Sequence, residues 1–380
     1  MMATRALACF IIIAGVGVDG TPRRVGRVLS PPRLPVWPVA NGLVCTAMDM
    51  AGLRELAANT ERALGGRVAP MTLEGEDADP FILNVHHRHR FSAWDPIRPL
   101  FNLLLPEGFP AHPHAGFETV TVTLAGGLTH RDSIGVKQRY GNGEVQWLTA
   151  GKGVLHEEMW WPDGEARAEL YQIWLNLPRA SKQADPMVDC FTPPRAEPFP
   201  GASVDVISGS LYDKTAPARP VSARTLICRV RLEPAAGSAP VELPLPPSYN
   251  CMLYVREGAA DVGGDRVGTH DLAYLPARTS AGTSCVRLAT ADPASAVDVL
   301  VLAGEPLREP VAARGTWVMS TPAELQQADR DYQLGKFGVP WPHTLTDDEW
   351  RAVLGLDPQS SHEAQGRQKE VAGPTSGQPE

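Results

Sequence analysis

The chain alternates short runs of strand-forming residues with turns, and this rhythm constrains its fold more than any other feature. From about Gly66 to Leu177, runs such as TVTVTL and EVQWLT are separated by turns rich in Gly, Pro and Asp. A second block of similar length and rhythm extends from about Val204 to Gly304. Strands at this spacing are typical of sandwiches and barrels rather than of βαβ units. The sequence therefore predicts an all-β protein with two copies of one β architecture.

Length and charge exclude several classes of protein. The 380 residues, 43% of them hydrophobic, can bury more than one core. The net charge of −8 argues against a broad nucleic-acid surface. The six cysteines form no short pair, so we expect a reducing compartment rather than a disulfide framework. No apolar run approaches the ~20 residues that span a bilayer.

The first 65 residues precede the strand-rich blocks, and we expect a poorly ordered leader there. The apolar stretch LACFIIIAGVGV follows Arg5 as in a signal peptide, but no A-x-A cleavage site follows it. Residues 1–47 are therefore either a targeting sequence or the product of an early gene start. Leucines at helical spacing predict a short helix near residues 51–64, ending at Gly65.

Residues outside the two blocks carry linker and helix signals. The polar, proline-rich segment 177–201 is typical of a linker. Two helices are predicted after the second block by a capping threonine with a glutamate three residues later, namely Thr321 with Glu324 and Thr346 with Glu349. From about residue 358 onwards the composition predicts a disordered tail.

Four side chains in the first block have the spacing of a metal site. His112 and His114 lie two residues apart, as do His156 and Glu158. Residues i and i+2 of a strand point to the same face, so each pair would project together. If the two strands meet, three imidazole nitrogens and one carboxylate oxygen converge. This set suits iron(II) best, with manganese, nickel, cobalt or zinc as alternatives, and an octahedral ion would keep two positions open.

Several other polar residues have both a structural and a functional interpretation. The string His130, Arg131, Asp132, Ser133 follows two glycines, and we interpret it as a turn rather than a catalytic group. We interpret the histidines His86, His87 and His89 as a solvated strand edge or loop, although His87 and His89 could form a second, weak metal site. Glu157 is one residue from His156, so on a strand its side chain points away from the metal face.

Aromatic residues near the motifs also leave two interpretations open. They either line a pocket for an aromatic substrate or belong to the core: Phe117, Trp147, Trp160 and Trp161.

The two motifs resemble a known family. HPHAGFETVTVTLAGGLTHRDSIG and EVQWLTAGKGVLHEEM are similar to the metal motifs of the pirin family, within the cupin superfamily. ADPFILN resembles the strand that leads into them, and DYQLGKFG resembles the end of the second domain. The likeness covers about residues 66–338. It implies two cupin (jelly-roll) β-barrels face to face, with a few short helices.

With this resemblance the chain divides into four predicted parts. They are the leader 1–65, an N-terminal metal-binding cupin barrel 66–195, a C-terminal cupin barrel without metal 196–345, and a short helix with a disordered tail 346–380. The resemblance implies four metal ligands: His112, His114, His156 and Glu158. Glu118 belongs to the general cupin motif and is a candidate neighbour of the metal. The second block has a single histidine near a turn, His270, and no HxH pair.

The resemblance implies a function as well as a fold. The first reading is a quercetin 2,3-dioxygenase-type oxidoreductase, in which Fe(2+) lowers the pKa of a flavonol hydroxyl and Glu158 accepts the proton as catalytic base. The alternative is a non-catalytic, iron-dependent redox switch that binds other proteins as a transcription-cofactor-like regulator.

Expected partners follow from the same resemblance. They are a small aromatic substrate and dioxygen, with a protein partner in the alternative reading, and neither nucleic acid nor membrane. We expect a monomer in the cytoplasm, and the ambiguous residues 1–47 leave the nucleus or an organelle open.

Overall fold

The computed structural model describes residues 21–34, 38–92, 95, 97–102, 106–218, 220–234, 240–277 and 284–356. These residues form two β-barrels packed face to face, with a few short helices, which confirms the predicted fold class. None of the helices in this part of the chain is both long and apolar enough to cross a membrane.

The secondary structure follows the predicted rhythm. The N-terminal segment contains β1 (Thr21–Pro22), β2 (Arg27–Leu29), α1 (Val39–Met50) and α2 (Arg54–Leu64). The first barrel contains β3 (Arg67–Thr72), β4 (Phe81–Arg90), α3 (Arg98–Asn102), β5 (Gly108–His114), β6 (Phe117–Ala125), β7 (Gly127–Asp132), β8 (Lys137–Gly141), β9 (Val145–Thr149), β10 (Val154–Trp161), β11 (Arg167–Asn176), a 3-10 turn (Arg179–Ser181) and β12 (Met187–Phe191).

The second half continues in the same way. The second barrel contains β13 (Arg195–Ala196), β14 (Ala202–Ser208), β15 (Ser210–Leu211), β16 (Lys214–Thr215), β17 (Thr225–Leu232), β18 (Val241–Leu245), β19 (Asn250–Glu257), β20 (Ala260–Val262), β21 (Asp265–Val267), β22 (Leu272–Leu275), β23 (Ser284–Thr290) and β24 (Val297–Gly304). The closing segment contains β25 (Ala312–Arg314), β26 (Trp317–Met319), α4 (Pro322–Gln333) and α5 (Asp347–Val353).

Each barrel consists of a larger and a smaller sheet. In the first barrel the strand orders are β12-β9-β6-β11-β4-β3 and β5-β10-β7-β8. In the second they are β13-β14-β17-β24-β19-β22-β2 and β1-β23-β20-β21, with β18 on the free side of β23. The two larger sheets face each other and share one apolar cluster.

Side chains alternate along the central strands, and the apolar side chains on the facing sides of the two larger sheets form an apolar wall between the barrels. On β11, Tyr171, Ile173 and Leu175 are buried against the second barrel. Gln172 and Trp174, on the opposite face, lie inside the first barrel, where they contact Glu158 and His114 respectively. Each fully buried apolar side chain contributes about 1.5–3 kcal/mol, so the register of these strands is strongly determined.

The described part of the N-terminal segment contacts both barrels. β1 pairs in parallel with β23, β2 pairs with β22, and Leu34 bridges to Val68. Residues 21–34 thus extend sheets of the second barrel and bridge to the first, and residues 38–65 contain α1 and α2. The leader at residues 1–65 stays a prediction. Residues 1–20 and 35–37 lie outside the described part of the chain, as do residues 357–380 with the predicted tail.

A buried carboxylate fixes α2 to the first barrel. Glu61 is fully buried and accepts hydrogen bonds from Arg33 and Arg67, both at 2.7 Å, and from Arg88 at 3.3 Å. Burial alone would raise the pKa of Glu61, but Arg67, Arg88 and Arg33 together hold it below its ordinary value. No sequence motif predicts this contact, since the three arginines lie on separate segments.

A second ionic group spans the two barrels. Glu169 on β11 accepts hydrogen bonds from His86 and Arg88 of β4, and from Arg256 of β19. Arg256 also pairs with Asp298 on β24 at 2.8 Å. These charges lie at the edge of the apolar wall, where each buried ion is matched by several partners of opposite charge.

The closing segment returns to the first barrel. α4 and α5 have the predicted capping boxes at Thr321 and Thr346. Their apolar faces and β26 pack with residues of β10 in one cluster that contains Leu155, Trp317 and Trp350. The division of the chain at residues 195/196 and 345/346 stays a prediction, and the expected linker contains β12 and β13, one paired with each barrel.

We predict that Glu61→Ala lowers the free energy of unfolding by about 3–5 kcal/mol, because it leaves the buried Arg67 without a carboxylate partner among the described residues and removes one partner from Arg33 and Arg88. Chemical denaturation measures the change. The matched control is Glu55→Ala on the exposed side of the same helix, which should change the free energy by less than about 0.5 kcal/mol. Equal effects of the two substitutions would contradict the structural role of Glu61.

We also predict that stability falls in mild acid because of His86. Burial lowers the pKa of His86 to about 4, and Arg88 and Arg67 add to an effect that the Glu169 hydrogen bond partly offsets. The unfolded chain therefore takes up a proton near pH 6.5 while the folded chain does not, so stability decreases as the pH falls from 6.5 towards 4.

The measurement is urea denaturation in the presence of a chelator at pH 7 and pH 5. Wild type should lose about 2 kcal/mol more than His86→Gln over this interval. His343→Gln, at an exposed position, is the control and should behave as wild type. A His86→Gln variant with the same pH slope as wild type would contradict the prediction.

Candidate metal centre

Two antiparallel strands bring the histidine motifs together. β5 carries His112 and His114, and β10 carries His156 and Glu158. In the register of the two strands His156 is the partner of His112, and Val154 is the partner of His114. A register shift between His156 and Glu158 follows on β10. The i, i+2 spacing thus places three imidazoles on one side of one sheet.

The three imidazoles converge inside the first barrel. One nitrogen each of His112, His114 and His156 lies within 4.8 Å of the other two. The Nε2 atoms of His112 and His114 are 3.1 Å apart, and Nδ1 of His112 lies 2.8 Å from the carbonyl oxygen of Pro110. Because this carbonyl can only accept, Nδ1 of His112 donates and its Nε2 presents a lone pair to the cluster.

Burial keeps two of these imidazoles neutral. Burial lowers the pKa of His114 well below its ordinary value, with a further contribution from His112. Burial and the neighbouring histidines have the same effect on the pKa of His156. Nδ1 of His114 and Nε2 of His156 are buried and have no hydrogen-bond partner among the described residues. Neutral, unsatisfied imidazole nitrogens at this spacing fit a divalent transition metal.

Glu158 lies on the same strand face but is not part of the three-histidine group. Its Oε1 accepts hydrogen bonds from Tyr140 at 3.1 Å and Thr121 at 3.4 Å, and its Oε2 accepts one from Gln172 at 3.0 Å. Burial, together with the Glu158 charge, raises the pKa of Tyr140 well above its ordinary value, so its hydroxyl remains a donor. Three donors therefore hold the Glu158 carboxylate in the barrel.

Sequence reasoning missed the residues that surround Glu158. Tyr140 and Gln172 lie on β8 and β11, far from the motifs along the chain. Only Thr121 carried a signal, because the alternation of TVTVTL places threonines on one face and valines on the other. The valines face the second barrel, so the threonine face had to point into the first.

The interpretation of residues 130–132 as a turn was wrong. His130, Arg131 and Asp132 end strand β7, which pairs with β10. His130 is fully buried, with Nδ1 3.4 Å from Nδ1 of His156 and Nε2 3.0 Å from Oδ2 of Asp132. The turn begins only at Ser133, whereas Gly126 forms the bend before β7 and Gly127 is the first residue of the strand.

The interpretation of His86, His87 and His89 as a solvated segment was also wrong. All three are buried on β4, a strand with a neighbour on each side. His86 faces the second barrel, where it contacts Tyr254. His87 and His89 face the first barrel, 3.2 Å apart between Nδ1 and Nε2. Burial and the neighbouring histidines lower the pKa of His87 well below its ordinary value.

The two glutamates beside the motifs point away from the histidines. Glu157 binds Arg131 and the indole N–H of Trp341, on the outer face of β10 as its offset predicted. Glu118 accepts hydrogen bonds from the backbone N–H groups of Val221 and Ser222 in the second barrel. Glu118 is therefore not a neighbour of the histidine cluster.

The aromatic residues divide between the two interpretations. Phe117 packs against His114, with ring centroids 5.1 Å apart. Trp160 contacts His87, His89 and Phe109 inside the first barrel. Trp147 belongs to the apolar wall between the barrels, and Trp161 is 38% exposed beneath Arg139.

The AGKG turn, residues 150–153, needs its glycines because other segments of the chain lie close to its backbone. Gly151 and Gly153 both have positive φ angles, 50° and 133°. A Cβ atom on Gly153 would lie 2.1 Å from the Phe337 ring, and one on Gly151 would lie 2.1 Å from the carbonyl oxygen of Ala184. The turn into β10 is therefore packed tightly against other segments of the chain.

Comparison with known proteins agrees with this geometry. The pirin family profile matches residues 62–175, and the profile of the pirin C-terminal cupin domain matches residues 228–338. A pirin-like protein of Solanum lycopersicum is 35% identical over 248 residues, 63% of this chain and 79% of that protein. Human pirin is 34% identical over 267 residues, 66% of this chain and 83% of that protein.

The chain belongs to the pirin family. The family resemblance of the two motifs is thereby confirmed. A crystal structure of a quercetin 2,3-dioxygenase from Acinetobacter baumannii is similar to this pirin, with a TM-score of 0.63 and 30% sequence identity. The similarity covers 72% of this chain and 92% of the Acinetobacter chain. This pirin thus has the bicupin fold and a three-histidine cluster that could hold a metal ion.

Proposed function

We propose that this pirin is an iron-dependent oxygenase of the quercetin 2,3-dioxygenase type, acting at its N-terminal barrel on a small aromatic, flavonol-like substrate. The observation that carries the proposal is the convergence of His112, His114 and His156 within 4.8 Å, with buried imidazole nitrogens that have no partner among the described residues. The proposed ligands are these three histidines and Glu158, and the proposed metal is Fe(2+).

When bound, the metal would supply Lewis acidity and one-electron chemistry towards dioxygen. The residues of the chain would supply the proton acceptor. Glu158 is held by Tyr140, Thr121 and Gln172 at the edge of the histidine cluster. A carboxylate oriented by these donors would accept the proton of a flavonol hydroxyl as catalytic base.

An aromatic group lies next to the histidine cluster and supports an aromatic substrate. The Phe109 ring is 6.3 Å from that of His112, and Trp160 is 6.0 Å from Phe109. Planar rings of this kind contribute apolar surface and edge-to-face contacts to a bound aromatic molecule. The similarity to the Acinetobacter protein named quercetin 2,3-dioxygenase points to the same class of substrate.

We predict that the protein purified without added metal contains about one iron per chain, and that His114→Ala/Glu158→Ala loses it. Elemental analysis measures the content. The matched control, His343→Ala/Glu233→Ala, removes the same two residue types at exposed positions and should keep the metal. Equal metal content in wild type and the His114/Glu158 variant would contradict the ligand assignment.

We further predict oxygen uptake when the iron-loaded protein meets quercetin. An oxygen electrode should record uptake for wild type and for the His343/Glu233 control, and none for the His114/Glu158 variant. Bound iron without any quercetin-dependent uptake would contradict the dioxygenase activity and would favour the redox-switch function, which needs the same ligands.

A further inference from the structure

We propose that Asp132 and His130 are positioning residues that fix the tautomer of His156, so that the Nε2 lone pair of His156 faces the metal position. This inference rests on the proposed metal centre. It concerns two buried polar residues, of which His130 contacts the His156 ring and Asp132 contacts His130. Neither residue is one of the four proposed ligands.

The carboxylate of Asp132 is fixed by the backbone. Its Oδ1 accepts hydrogen bonds from the N–H groups of Ile134 at 3.0 Å and Val136 at 2.9 Å. Its Oδ2 lies 3.0 Å from Nε2 of His130. Asp132 and His130 are both fully buried, so water does not compete for these bonds. A carboxylate held in this way only accepts, and Nε2 of His130 must therefore carry the proton.

The donor and acceptor roles then propagate to the metal ligand. In the proposed relay His130 is the neutral tautomer with its proton on Nε2, which leaves a lone pair at Nδ1. Nδ1 of His130 lies 3.4 Å from Nδ1 of His156, so Nδ1 of His156 is the donor of this bond. The remaining nitrogen of His156, Nε2, is left with its lone pair, and it is the buried atom without a partner among the described residues.

This arrangement extends a common feature of metal sites by one residue. Ligand histidines usually donate their second N–H to a carboxylate or a carbonyl, which fixes the tautomer and orients the ring. His112 follows that rule through Pro110. For His156 an imidazole stands between the ligand and the carboxylate, so the negative charge of Asp132 acts through His130.

The variant Asp132→Asn tests the relay with little change of shape. Its amide oxygen can still accept from Ile134 and Val136, while its NH₂ group donates to Nε2 of His130. Every bond in the relay then reverses, and His156 carries its proton on Nε2, towards the metal position. Glu118→Gln is the matched control, because Glu118 is a buried carboxylate on β6 whose hydrogen bonds go to Thr149, Val221 and Ser222.

The first measurement is ¹⁵N NMR of the metal-free full chain with labelled histidine, using His156→Gln to assign the signal. We expect the Nδ1–H tautomer of His156 in wild type and in Glu118→Gln, and the Nε2–H tautomer in Asp132→Asn. An Nε2–H tautomer in wild type would overturn the proposal, and this result does not depend on the folding of any relay variant. An unchanged His156 signal in folded Asp132→Asn would overturn it as well.

The second measurement is the affinity for Co(2+), determined by competition with a chromophoric chelator. Asp132→Asn should bind cobalt about 10–100-fold more weakly than wild type, and Glu118→Gln should bind it as wild type does. Equal affinities of wild type and Asp132→Asn would overturn the positioning role. If iron-loaded wild type shows no quercetin-dependent oxygen uptake while the tautomers and cobalt affinities are as expected, the proposed dioxygenase activity is contradicted and the relay is supported.

Discussion

The apolar wall between the two barrels is the constraint on which the rest of this structure depends. β6 and β11 each have one face in that wall and the other inside the first barrel. Because side chains alternate with a period of two, burial of Val120, Val122 and Tyr171 against the second barrel determines which residues point the other way. A slip of one residue would move Thr121 and Gln172 into the wall and leave Glu158 without two of its donors.

The same constraint explains why the barrels differ inside. The interior of the second barrel is an apolar cluster that includes Val204, Val230 and Leu253. The interior of the first contains histidines, a glutamate and their hydrogen-bond partners. A polar interior costs stability unless its groups are paired, and the first barrel receives compensating contacts from elsewhere. The closing segment packs on β10, and α2 is bound through Glu61.

Local patterns in the sequence predicted the features that depend on neighbours along the chain. The i, i+2 spacing was enough to place His112 and His114 side by side on β5, and the capping boxes were enough to locate α4 and α5. Contacts between distant segments were not predictable in this way. Glu61 with its three arginines, and His130 beside His156, depend on the strand order, which no short motif specifies. The buried histidines of β4 were misjudged for the same reason, since polarity alone suggested an exposed edge.

Glu118 and Glu158 show how strand face, rather than motif membership, determines a role. Glu118 and Glu158 are both buried carboxylates in motif segments, and each accepts hydrogen bonds from three groups. Glu118 has the same parity as Val120 and Val122, so its carboxylate holds a loop of the second barrel. Glu158 has the same parity as His156 on β10 and points into the first barrel. A carboxylate points towards the histidine cluster only when the strand that carries it presents that face to the interior of the first barrel.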